Sequence, residues 1–576
     1  MRGRIVCRAY DPMGPGPTDA GPMRPRHPGA IDPHPSSCHS APMTQRAADL
    51  LARRLHAAGC RRAYGMPGGE VLTLVDALER AGIEFVLCHH ENAGGFMAEG
   101  GHHMDGAPAI LVATVGPGAM NGVNVVANAE QDRVPLIVLT GCVDAAEAET
   151  YTHQVLDHRA VFAPITKATF TLTPEAAAVQ ADKAVRIAMA GRMGPVHVDV
   201  PISVADAAVG GDPVLRPATA PAAIGVAALE AAREMLGRAE RPVMIAGLDA
   251  VKDDAGPAIT AFCETFGVPL ITAYKGKGLM DERRDLALGG AGLSPLADGV
   301  LLPLVRQADL VILAGYDPIE MRVGWREVWD PAAQDVIDIC HAANTHGMHG
   351  ATLEVVAPVG ETLTAIGDGV APRATWTDGA PAAARAALAD AFAVDGWGPG
   401  AAIAAAREAC PEGTIATADS GAHRILLSQM WACDGPRQLL QSSGLCTMGC
   451  ALPLAIGAKR AAPDRPAVAF MGDAGFLMVA GELASAAALG LPLAVVVFVD
   501  ASLALIEKKQ RERQLPNAGV DFGRPDYAAI AEGFGGRGVT VSDAAAMRAA
   551  VAAALDAETF TLIAVEIDRR AYDGRI

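Results

Sequence analysis

The sequence predicts an α/β protein made of three successive domains, each built on a doubly wound parallel sheet. Its length of 576 residues suits about three domains. Short apolar runs alternate along the chain with alanine-rich, helix-like stretches, which is typical of parallel sheets covered by helices. Hydrophobic residues make up 51% of the chain and charged residues 19%, so each domain can bury a core.

Residues 1–42 precede the first domain. They are rich in proline, glycine, arginine and histidine and contain no apolar core of the signal-peptide type. We expect a disordered extension outside the fold, with a targeting peptide as the alternative. The first domain should then open with a helix that Thr44 caps and that stops at Gly59.

Three blocks carry the alternating pattern, residues 43–210, 225–370 and 401–576. They are separated by the proline-rich segment 212–221 and by the polar, glycine- and proline-rich segment 371–400. The predicted strands of the first block are 83–86, 109–113, 136–140 and 196–200. Those of the second are 243–246, 270–272, 310–314 and 336–339. Those of the third are 414–417, 467–471, 493–499 and 561–567.

Charge and composition exclude several classes of protein. The formal net charge of −18 argues against a general nucleic-acid binder, which needs a basic face. The 11 cysteines show no paired metal-ligand spacing, so we expect buried thiols in a reducing, cytoplasmic setting. No uninterrupted apolar run reaches the roughly 18 residues of a membrane span.

Two acidic turns stand out in the third block. The first follows strand 467–471 and contains Asp473; the second contains Asp500, 27 residues later, with a predicted helix over 478–489 between them. This order brings both carboxylates to one edge of a parallel sheet, where oxygen ligands suit Mg²⁺. The small residues beside Asp473 leave the backbone open to an anion: Gly472, Ala474 and Gly475. Alone, the first turn could equally be an ordinary link between strand and helix.

The pair of turns resembles the thiamine diphosphate-dependent enzymes, specifically the acetolactate synthase-like group. That family has a Gly-Asp-Gly or Gly-Asp-Ala motif, followed at a similar distance by two asparagines. The resemblance implies that Asp473, Asp500 and the carbonyl of Ser502 bind Mg²⁺. Asp500 replaces an asparagine of the family pattern and adds a negative charge beside the diphosphate.

The segment from His90 to Gly100 resembles the family signature around its catalytic glutamate. The resemblance implies that Glu91 contacts N1′ of the cofactor's aminopyrimidine ring. A carboxyl group there promotes the imino tautomer, whose 4′-nitrogen can remove the C2 proton of the thiazolium. Without the resemblance, a glutamate in the first turn of a helix simply complements the helix dipole.

Two glycine-containing loops of the first block also match the family. Gly68 and Gly69 belong to a Pro-Gly-Gly loop that flanks the reaction centre, where the backbone can approach a substrate or simply form a tight turn. Thr114 and Asn121 bound a Gly-Pro-Gly-x-x-Asn turn, and the resemblance places both near the pyrimidine.

Several polar residues remain as candidates for substrate contacts. Gln154 lies where the family has a polar substrate-facing residue, and its neighbour His153 is a possible acid or base. His102 and His103 are expected on the surface or in a loop. Glu507 is either a surface helix residue or the catalytic glutamate of simple 2-oxo acid decarboxylases.

The remaining cofactor contacts lie in the third block. Ser420, Gly421 and His423 resemble the family's diphosphate loop, where amide groups at a helix start bind phosphate. The loop that grips the aminopyrimidine is matched around Cys446 and Met448. The resemblance implies that the Cys446 carbonyl faces the 4′-amine and that the Met448 side chain wedges between the two cofactor rings. Cys446 stands where the family usually has glycine.

The resemblance implies a pyrimidine-binding domain over 43–210, a central domain over 225–370 and a diphosphate-binding domain over 401–576. It implies action on small 2-oxo acids by decarboxylation and carboligation through an enamine. The cofactors would be thiamine diphosphate and Mg²⁺, and the active sites would lie across the interface of a homo-oligomer. A simple decarboxylase or a 2-hydroxyacyl-CoA lyase is the alternative, and a non-catalytic protein on the same fold is the second alternative. FAD or another nucleotide in the central domain stays open, with 275–278 and 315–318 as its candidate contacts.

Overall fold

The computed structural model describes residues 45–210, 221–319 and 321–576. The chain divides into a short unit, Met1–Met43, and a large unit, Thr44–Ile576. The predicted extension 1–42 and nearly all of the predicted linker 212–221 lie outside the described residues, so neither expectation is tested. None of the helices in the described segments is long and apolar enough to cross a membrane.

The first sheet contains six parallel strands, and a short antiparallel pair closes the segment. The strands are β1 (Gln45–Arg46), β2 (Arg62–Met66), β3 (Glu84–Leu87), β4 (Ala109–Ala113), β5 (Leu136–Cys142), β6 (Ala168–Thr171), β7 (Val196–Pro201) and β8 (Ala208–Val209). The helices are α1 (Ala47–Ala57), α2 (Leu72–Arg80), α3 (Glu91–Asp105), α4 (Pro117–Asn121), α5 (Val123–Gln131), α6 (Ala145–Ala148), α7 (His158–Phe162), α8 (Ala177–Met189) and α9 (Ile202–Asp206).

The second sheet again has six parallel strands. They are β9 (Pro242–Ala246), β10 (Leu270–Ala273), β11 (Ala287–Ala291), β12 (Leu310–Ala314), β13 (Asp335–Cys340) and β14 (Leu353–Val356). The accompanying helices are α10 (Val226–Arg238), α11 (Leu248–Lys252), α12 (Gly256–Phe266), α13 (Pro295–Gln307), α14 (Val359–Gly367) and α15 (Ala380–Ala391).

The third sheet has the same number of parallel strands. They are β15 (Ile415–Ala418), β16 (Leu439–Gln441), β17 (Ala467–Gly472), β18 (Ala494–Val499), β19 (Arg537–Val541) and β20 (Thr561–Glu566). The accompanying helices are α16 (Pro399–Ala409), α17 (Ala422–Met430), α18 (Ala451–Ala461), α19 (Asp473–Val479), α20 (Glu482–Ala488), α21 (Ala504–Glu512), α22 (Tyr527–Gly533) and α23 (Ala544–Leu555).

Strand order distinguishes the central sheet from the other two. The first sheet runs β3-β2-β4-β5-β7-β6 and the third runs β16-β15-β17-β18-β20-β19, which is the same order when each is counted from its own first strand. The second runs β11-β10-β9-β12-β13-β14, the order of the doubly wound dinucleotide-binding fold. The predicted class, three α/β domains with parallel sheets, is confirmed.

The first and third sheets are joined by two helices whose backbones touch. A Cβ atom on Gly100 of α3 would lie 2.2 Å from the carbonyl oxygen of Leu454 on α18. A Cβ on Gly457 of α18 would lie 1.8 Å from the carbonyl oxygen of Met97. Only glycine permits this approach, so the glycines of both helices fix the two sheets against each other.

Three local predictions differ from the structure. The first helix begins at Ala47 with Arg46 as its N-cap, because Gln45 and Arg46 pair with β8 as a short strand. The helix predicted over 478–489 begins earlier, at Asp473, and is interrupted between α19 and α20. The segment 371–400, predicted as a linker, contains the alanine-rich helix α15, which packs against α13.

Candidate active site

Two acidic turns lie side by side at the carboxyl edge of the third sheet. Asp473 follows β17 and Asp500 follows β18, and these strands are neighbours. Asp473 Oδ2 accepts hydrogen bonds from the backbone N–H of Asp500 at 3.1 Å and of Ala501 at 2.7 Å. Asp500 Oδ1 accepts one from the backbone N–H of Ser502 at 3.0 Å. The first turn therefore holds the second in place through its carboxylate.

The electrostatics of Asp473 and Asp500 favour the binding of a cation. Asp473 is 2% exposed and Asp500 is 6% exposed. Burial raises the pKa of Asp473, and burial together with the charge of Asp473 raises the pKa of Asp500 to about 7. In the described part of the chain no lysine or arginine forms a salt bridge with either group. Two buried carboxylates with free oxygen lone pairs fit a small hard cation such as Mg²⁺.

A cavity of about 220 Å³ adjoins this pair. All the cofactor and metal residues predicted in the third block line it: Ser420, Gly421, His423, Cys446, Met448, Gly472, Asp473, Ala474, Gly475, Asp500 and Ser502. The rest of the wall is Ala422, Leu503, Ala504, Leu505, Ile506 and Tyr572. One side is thus polar and anion-compatible, while the side formed by the start of α21 is largely apolar.

His423 supplies a hydrogen-bonding group without a partner. It lies in the first turn of α17, and its Nε2 is buried with no hydrogen-bond partner among the described residues. Burial lowers the pKa of His423 to about 3, so the ring is neutral at ordinary pH. A Cβ on Gly421 would lie 2.8 Å from the Cε1 of this ring, so glycine is needed there. An unpartnered ring nitrogen beside a helix start fits a phosphate oxygen.

The loop that carries Cys446 is held in an unusual conformation. Cys446 has a φ of 55°, the left-handed region that favours glycine. Its Sγ donates to the carbonyl oxygen of Ser443 at 3.1 Å, and Arg424 Nη1 donates to that of Ser442 at 2.6 Å. The observed φ explains why a glycine is usual at this position in the family pattern.

One face of α5, in the first segment, supports this loop. No residue of that face is among the predicted site residues. Asn128 Oδ1 accepts from Ser442 Oγ at 2.5 Å, and Asn124 Oδ1 accepts from Thr447 Oγ1 at 3.1 Å. Asp132 accepts from the backbone N–H of Gly444 at 2.6 Å. The spacing of four residues between Asn124, Asn128 and Asp132 is the signal that marks one helix face.

Glu91 lies at a different sheet edge, as the first residue of α3. It is buried, and its Oε2 accepts from Asn121 Nδ2 at 2.9 Å. A Cβ on Gly118 would lie 2.9 Å from Glu91 Oε1, so the turn before Asn121 closes over the carboxylate. Glu482 of the third segment accepts from the backbone N–H of His89 at 3.0 Å and anchors the start of the helix. The predicted neighbours Glu91 and Asn121 are therefore in direct contact.

The Pro-Gly-Gly loop reaches the same edge. A Cβ on Gly68 would lie 2.3 Å from Thr114 Oγ1, so a side chain there would collide with the threonine, whereas Gly69 has open space around it. Thr114 Oγ1 donates to Glu70 Oε2 at 2.6 Å. Glu70 is not among the predicted site residues, because its partner lies 44 residues further along the chain.

Gln154 packs on the same turn and is exposed to solvent in the single chain. Its Cβ would lie 3.1 Å from a Cβ on Gly116, and both residues have positive φ, 60° and 62°. The backbone N–H of Gly116 donates to His158 Nε2 at 3.3 Å. That bond leaves His158 Nδ1 to donate to Asp199 Oδ1 at 2.9 Å. Asp199 and His158 thus hold the turn from behind.

The structure separates two sets of predicted residues. Those of the third block surround one cavity, whereas Glu91 and its neighbours belong to the first sheet and do not line that cavity. The expected surface or loop positions of His102 and His103 are wrong. Both are half-buried in the last turn of α3, where burial lowers their pKa values to about 4 and about 3. Glu507 is buried and accepts from Arg511 Nε at 2.8 Å.

A second and larger cavity, of about 1160 Å³, is lined mainly by the central segment, with contributions from the first and third segments. Asp317 and Pro318, from one candidate nucleotide contact, line it. The other candidate contact does not offer free charges. Lys275 Nζ lies 3.2 Å from Asp132 Oδ2, and Lys277 Nζ lies 2.8 Å from Glu282 Oε1. These two lysines do not fit a role in binding the diphosphate of FAD.

Comparison with known proteins agrees with this geometry. Residues 45–161 match the family "thiamine pyrophosphate enzyme, N-terminal TPP binding domain", residues 229–366 match its central domain, and residues 419–565 match its C-terminal TPP binding domain. The chain therefore belongs to the thiamine pyrophosphate enzymes and is a thiamine diphosphate-dependent enzyme.

Its relatives place it in the acetolactate synthase-like group of that family. It is 30% identical to the acetolactate synthase large subunit of Parasynechococcus marenigrum, over 92% of this chain and 89% of the relative. It is also 30% identical to the large subunit of acetolactate synthase isozyme 1 of Escherichia coli, over 90% and 94%. A probable 2-ketoarginine decarboxylase of Pseudomonas aeruginosa is 31% identical over 85% and 89%. The resemblance found in the sequence is confirmed.

Proposed function

We propose that the protein uses thiamine diphosphate and Mg²⁺ to decarboxylate a 2-oxo acid and to join the remaining fragment to an acceptor carbonyl. The observation that carries the proposal is the pair of buried carboxylates beside a cavity with an unpartnered histidine nitrogen. Asp473 and Asp500 supply oxygen ligands for the cation, and His423 Nε2 supplies a donor for the phosphate. The similarity to acetolactate synthases supports the carboligation step.

Each residue then has a definite task. Asp473, Asp500 and the carbonyl of Ser502 hold the cation, and the start of α17 with Ser420, Gly421 and His423 holds the phosphates. Thiamine diphosphate, when bound, supplies the carbon that attacks the 2-oxo group. Glu91 holds a proton at N1′ of the aminopyrimidine, and Asn121 fixes the orientation of its carboxyl group.

The three sheet-bearing segments take the corresponding roles in this proposal. The first is the pyrimidine-binding domain, the third is the diphosphate-binding domain, and the second connects them. We include no flavin in the reaction, because Lys275 and Lys277 are both engaged with carboxylates. A cytoplasmic location is part of the proposal, and the nine cysteines of the described segments support it, since all are free thiols.

We further propose that the protein is a dimer with two active sites, and that both chains contribute residues to each site. Glu91 and Asp473 must touch one cofactor, yet the cavity beside Asp473 is lined by no residue of the first segment. Large apolar side chains next to both half-sites are exposed in the single chain: Tyr151 at 50%, Leu477 at 43% and Met478 at 65%. A second copy, related by a two-fold axis, would cover them and bring its own Glu91 to the cavity.

A simple decarboxylase is the second candidate. The probable 2-ketoarginine decarboxylase is as similar to this chain as the acetolactate synthases are. Glu507, however, is held by Arg511 and does not line the cavity, so it is not placed to donate a proton to a product. The buried acids and the cavity leave little support for a non-catalytic protein or a CoA-dependent lyase.

One experiment separates these possibilities. The purified protein is incubated with thiamine diphosphate, Mg²⁺ and a panel of 2-oxo acids, and the products are identified by mass spectrometry. Omission of either cofactor and the Glu91→Gln variant serve as controls. Longer hydroxy-oxo acids indicate carboligation, and aldehydes alone indicate a decarboxylase. Absence of turnover with every 2-oxo acid would contradict the proposal.

A further inference from the structure

Glu70 occupies a central place at the carboxyl edge of the first sheet, although no step of the proposed mechanism uses it. It lies in the one-turn helix Gly69–Val71, directly after β2 and the Pro-Gly-Gly loop. A Cβ on Gly141, near the end of β5, would lie 3.1 Å from the Cβ of Glu70. The residue therefore projects over the middle of the edge, where doubly wound sheets bind their ligands.

Thr114 and Gly118 lie between the carboxylate of Glu70 and that of Glu91. Glu70 Oε2 accepts from Thr114 Oγ1 at 2.6 Å. On the other side of Thr114, a Cβ on Gly118 would lie 2.8 Å from Thr114 Cγ2 and 2.9 Å from Glu91 Oε1. Thr114 thus separates the two acids. We therefore expect the side chain of a 2-oxo acid that reacts near Glu91 to lie within reach of the Glu70 carboxylate.

The charge of Glu70 is not neutralised by the protein. Across the described segments, no lysine, arginine or histidine lies within salt-bridge distance of its carboxylate, and its one hydrogen-bond donor is the neutral Thr114 hydroxyl. The nearest other charged side chain that the contacts around Thr114 show is that of Glu91, which is also an acid. A half-buried carboxylate without a counter-ion attracts a cation and repels an anion.

We propose that Glu70 determines substrate specificity by selecting a 2-oxo acid whose side chain ends in a positive charge, a guanidinium or an ammonium group. The proposal rests on the proposed function, since it names the substrate class of that reaction. A guanidinium group suits the geometry because it can bind both carboxylate oxygens, while Thr114 keeps the carboxylate oriented. A side chain that ends in a carboxylate would meet repulsion at the same place.

The test compares kcat/KM for three 2-oxo acids of similar length, ending in guanidinium, methyl or carboxylate. It uses the wild type, Glu70→Gln, Glu70→Lys and the control Glu147→Gln. The glutamine variant keeps an acceptor for Thr114 and removes only the charge. Glu147 is an exposed acid on α6 of the same segment, so its variant controls for net charge.

The wild type should prefer the guanidinium substrate. Glu70→Gln should lower kcat/KM for that substrate on the order of 10- to 100-fold, mainly through KM, and leave the methyl substrate unchanged. Glu70→Lys should shift the preference to the carboxylate substrate, and Glu147→Gln should behave as the wild type.

Other outcomes distinguish the two proposals. Equal preference among the three substrates in both wild type and Glu70→Gln would overturn the role of Glu70 and leave the proposed function standing. A uniform loss with all three substrates would show that Glu70 only supports the loop, which also overturns the inference. If no 2-oxo acid is turned over by the wild type, the proposed function fails and the inference falls with it.

Discussion

The first and third sheets have the same strand order but carry different functional groups at their carboxyl edges. The third edge has the buried pair Asp473 and Asp500, a neutral histidine and backbone amides, a combination that fits a cation with a diphosphate. At the first edge, the buried carboxylate of Glu91 is held by an amide side chain. The topology decides where functional groups gather, and the residues of the turns decide what those groups can do.

The backbone shows a parallel between the two edges. The first edge has left-handed residues at Gly116 and Gln154, and the third has them at Cys446 and Ala501. Gln154, Cys446 and Ala501 carry side chains, and for such residues this conformation is costly. Both edges therefore hold their loops by contacts made elsewhere, His158 behind the first and α5 beside the third.

The largest effect is expected at the third edge. Asp473→Ala should abolish saturable binding of thiamine diphosphate in isothermal titration with Mg²⁺, because the metal loses a ligand and Asp500 then repels the diphosphate. Asp500→Asn is the matched control: it keeps an oxygen ligand, removes one negative charge and should bind at least as tightly as the wild type. Mg²⁺-dependent affinity unchanged in Asp473→Ala would place the metal elsewhere.

The first edge should affect chemistry rather than binding. Glu91→Gln should retain cofactor affinity and lower turnover by about 10²- to 10⁴-fold, because only the proton held at N1′ is lost. Exchange of the C2 proton of bound cofactor, followed by NMR, should slow by a similar factor. Exchange at the wild-type rate would remove Glu91 from this role.

Mixing the two defects tests whether the edges of different chains cooperate. Co-expressed Glu91→Gln and Asp473→Ala chains should recover part of the wild-type activity, because each heterodimer rebuilds one intact site. Each variant expressed alone is the control and should stay inactive. Verified heterodimers without activity, or an active monomer in sedimentation, would show that one chain builds the whole site.

Sequence reasoning succeeded where the signal is local. The buried strands of the third sheet are continuous apolar runs, so β17, β18 and the acidic turns after them were predicted together. Short or polar edge strands such as β14 and β19 lack that run and were missed. The turn motifs with glycine and proline were likewise visible in the sequence.

Contacts between distant segments could not be predicted in the same way. The face of α5 with Asn128 and Asp132 has its partners more than 300 residues away, in the loop around Ser442. Glu70 becomes a candidate site residue only through its hydrogen bond with Thr114, which follows a different strand. No periodicity in a single sequence encodes such a pairing, because it depends on which strands are neighbours in the sheet.

Glu99, on the helix that joins the two regions, should make stability depend on pH. Burial raises the pKa of Glu99 to about 8, against the opposing charge of Lys275. When the pKa of a carboxyl group is higher in the folded than in the unfolded protein, protonation of that group stabilises the folded state. This stabilisation is complete below the unfolded pKa of about 4.5 and is lost as the pH rises to about 8. Denaturant unfolding should show a decline of at most about 1.4 kcal/mol per pH unit in that window, relative to Glu99→Gln. Parallel pH profiles for the two proteins would contradict it.

The smallest effect concerns the left-handed position at the third edge. Cys446→Gly relieves the cost of a side chain at φ 55° but loses the Sγ bond to Ser443 and adds freedom to the unfolded chain. The matched control is Cys446→Ala, which loses the same sulfur contacts and keeps the backbone cost. The glycine variant should therefore be more stable than the alanine variant by about 1 kcal/mol in denaturant unfolding, and should bind thiamine diphosphate at least as tightly. Equal stability of the two variants would mean that the loop relaxes without the left-handed residue, and that α5 and Arg424 alone determine its conformation.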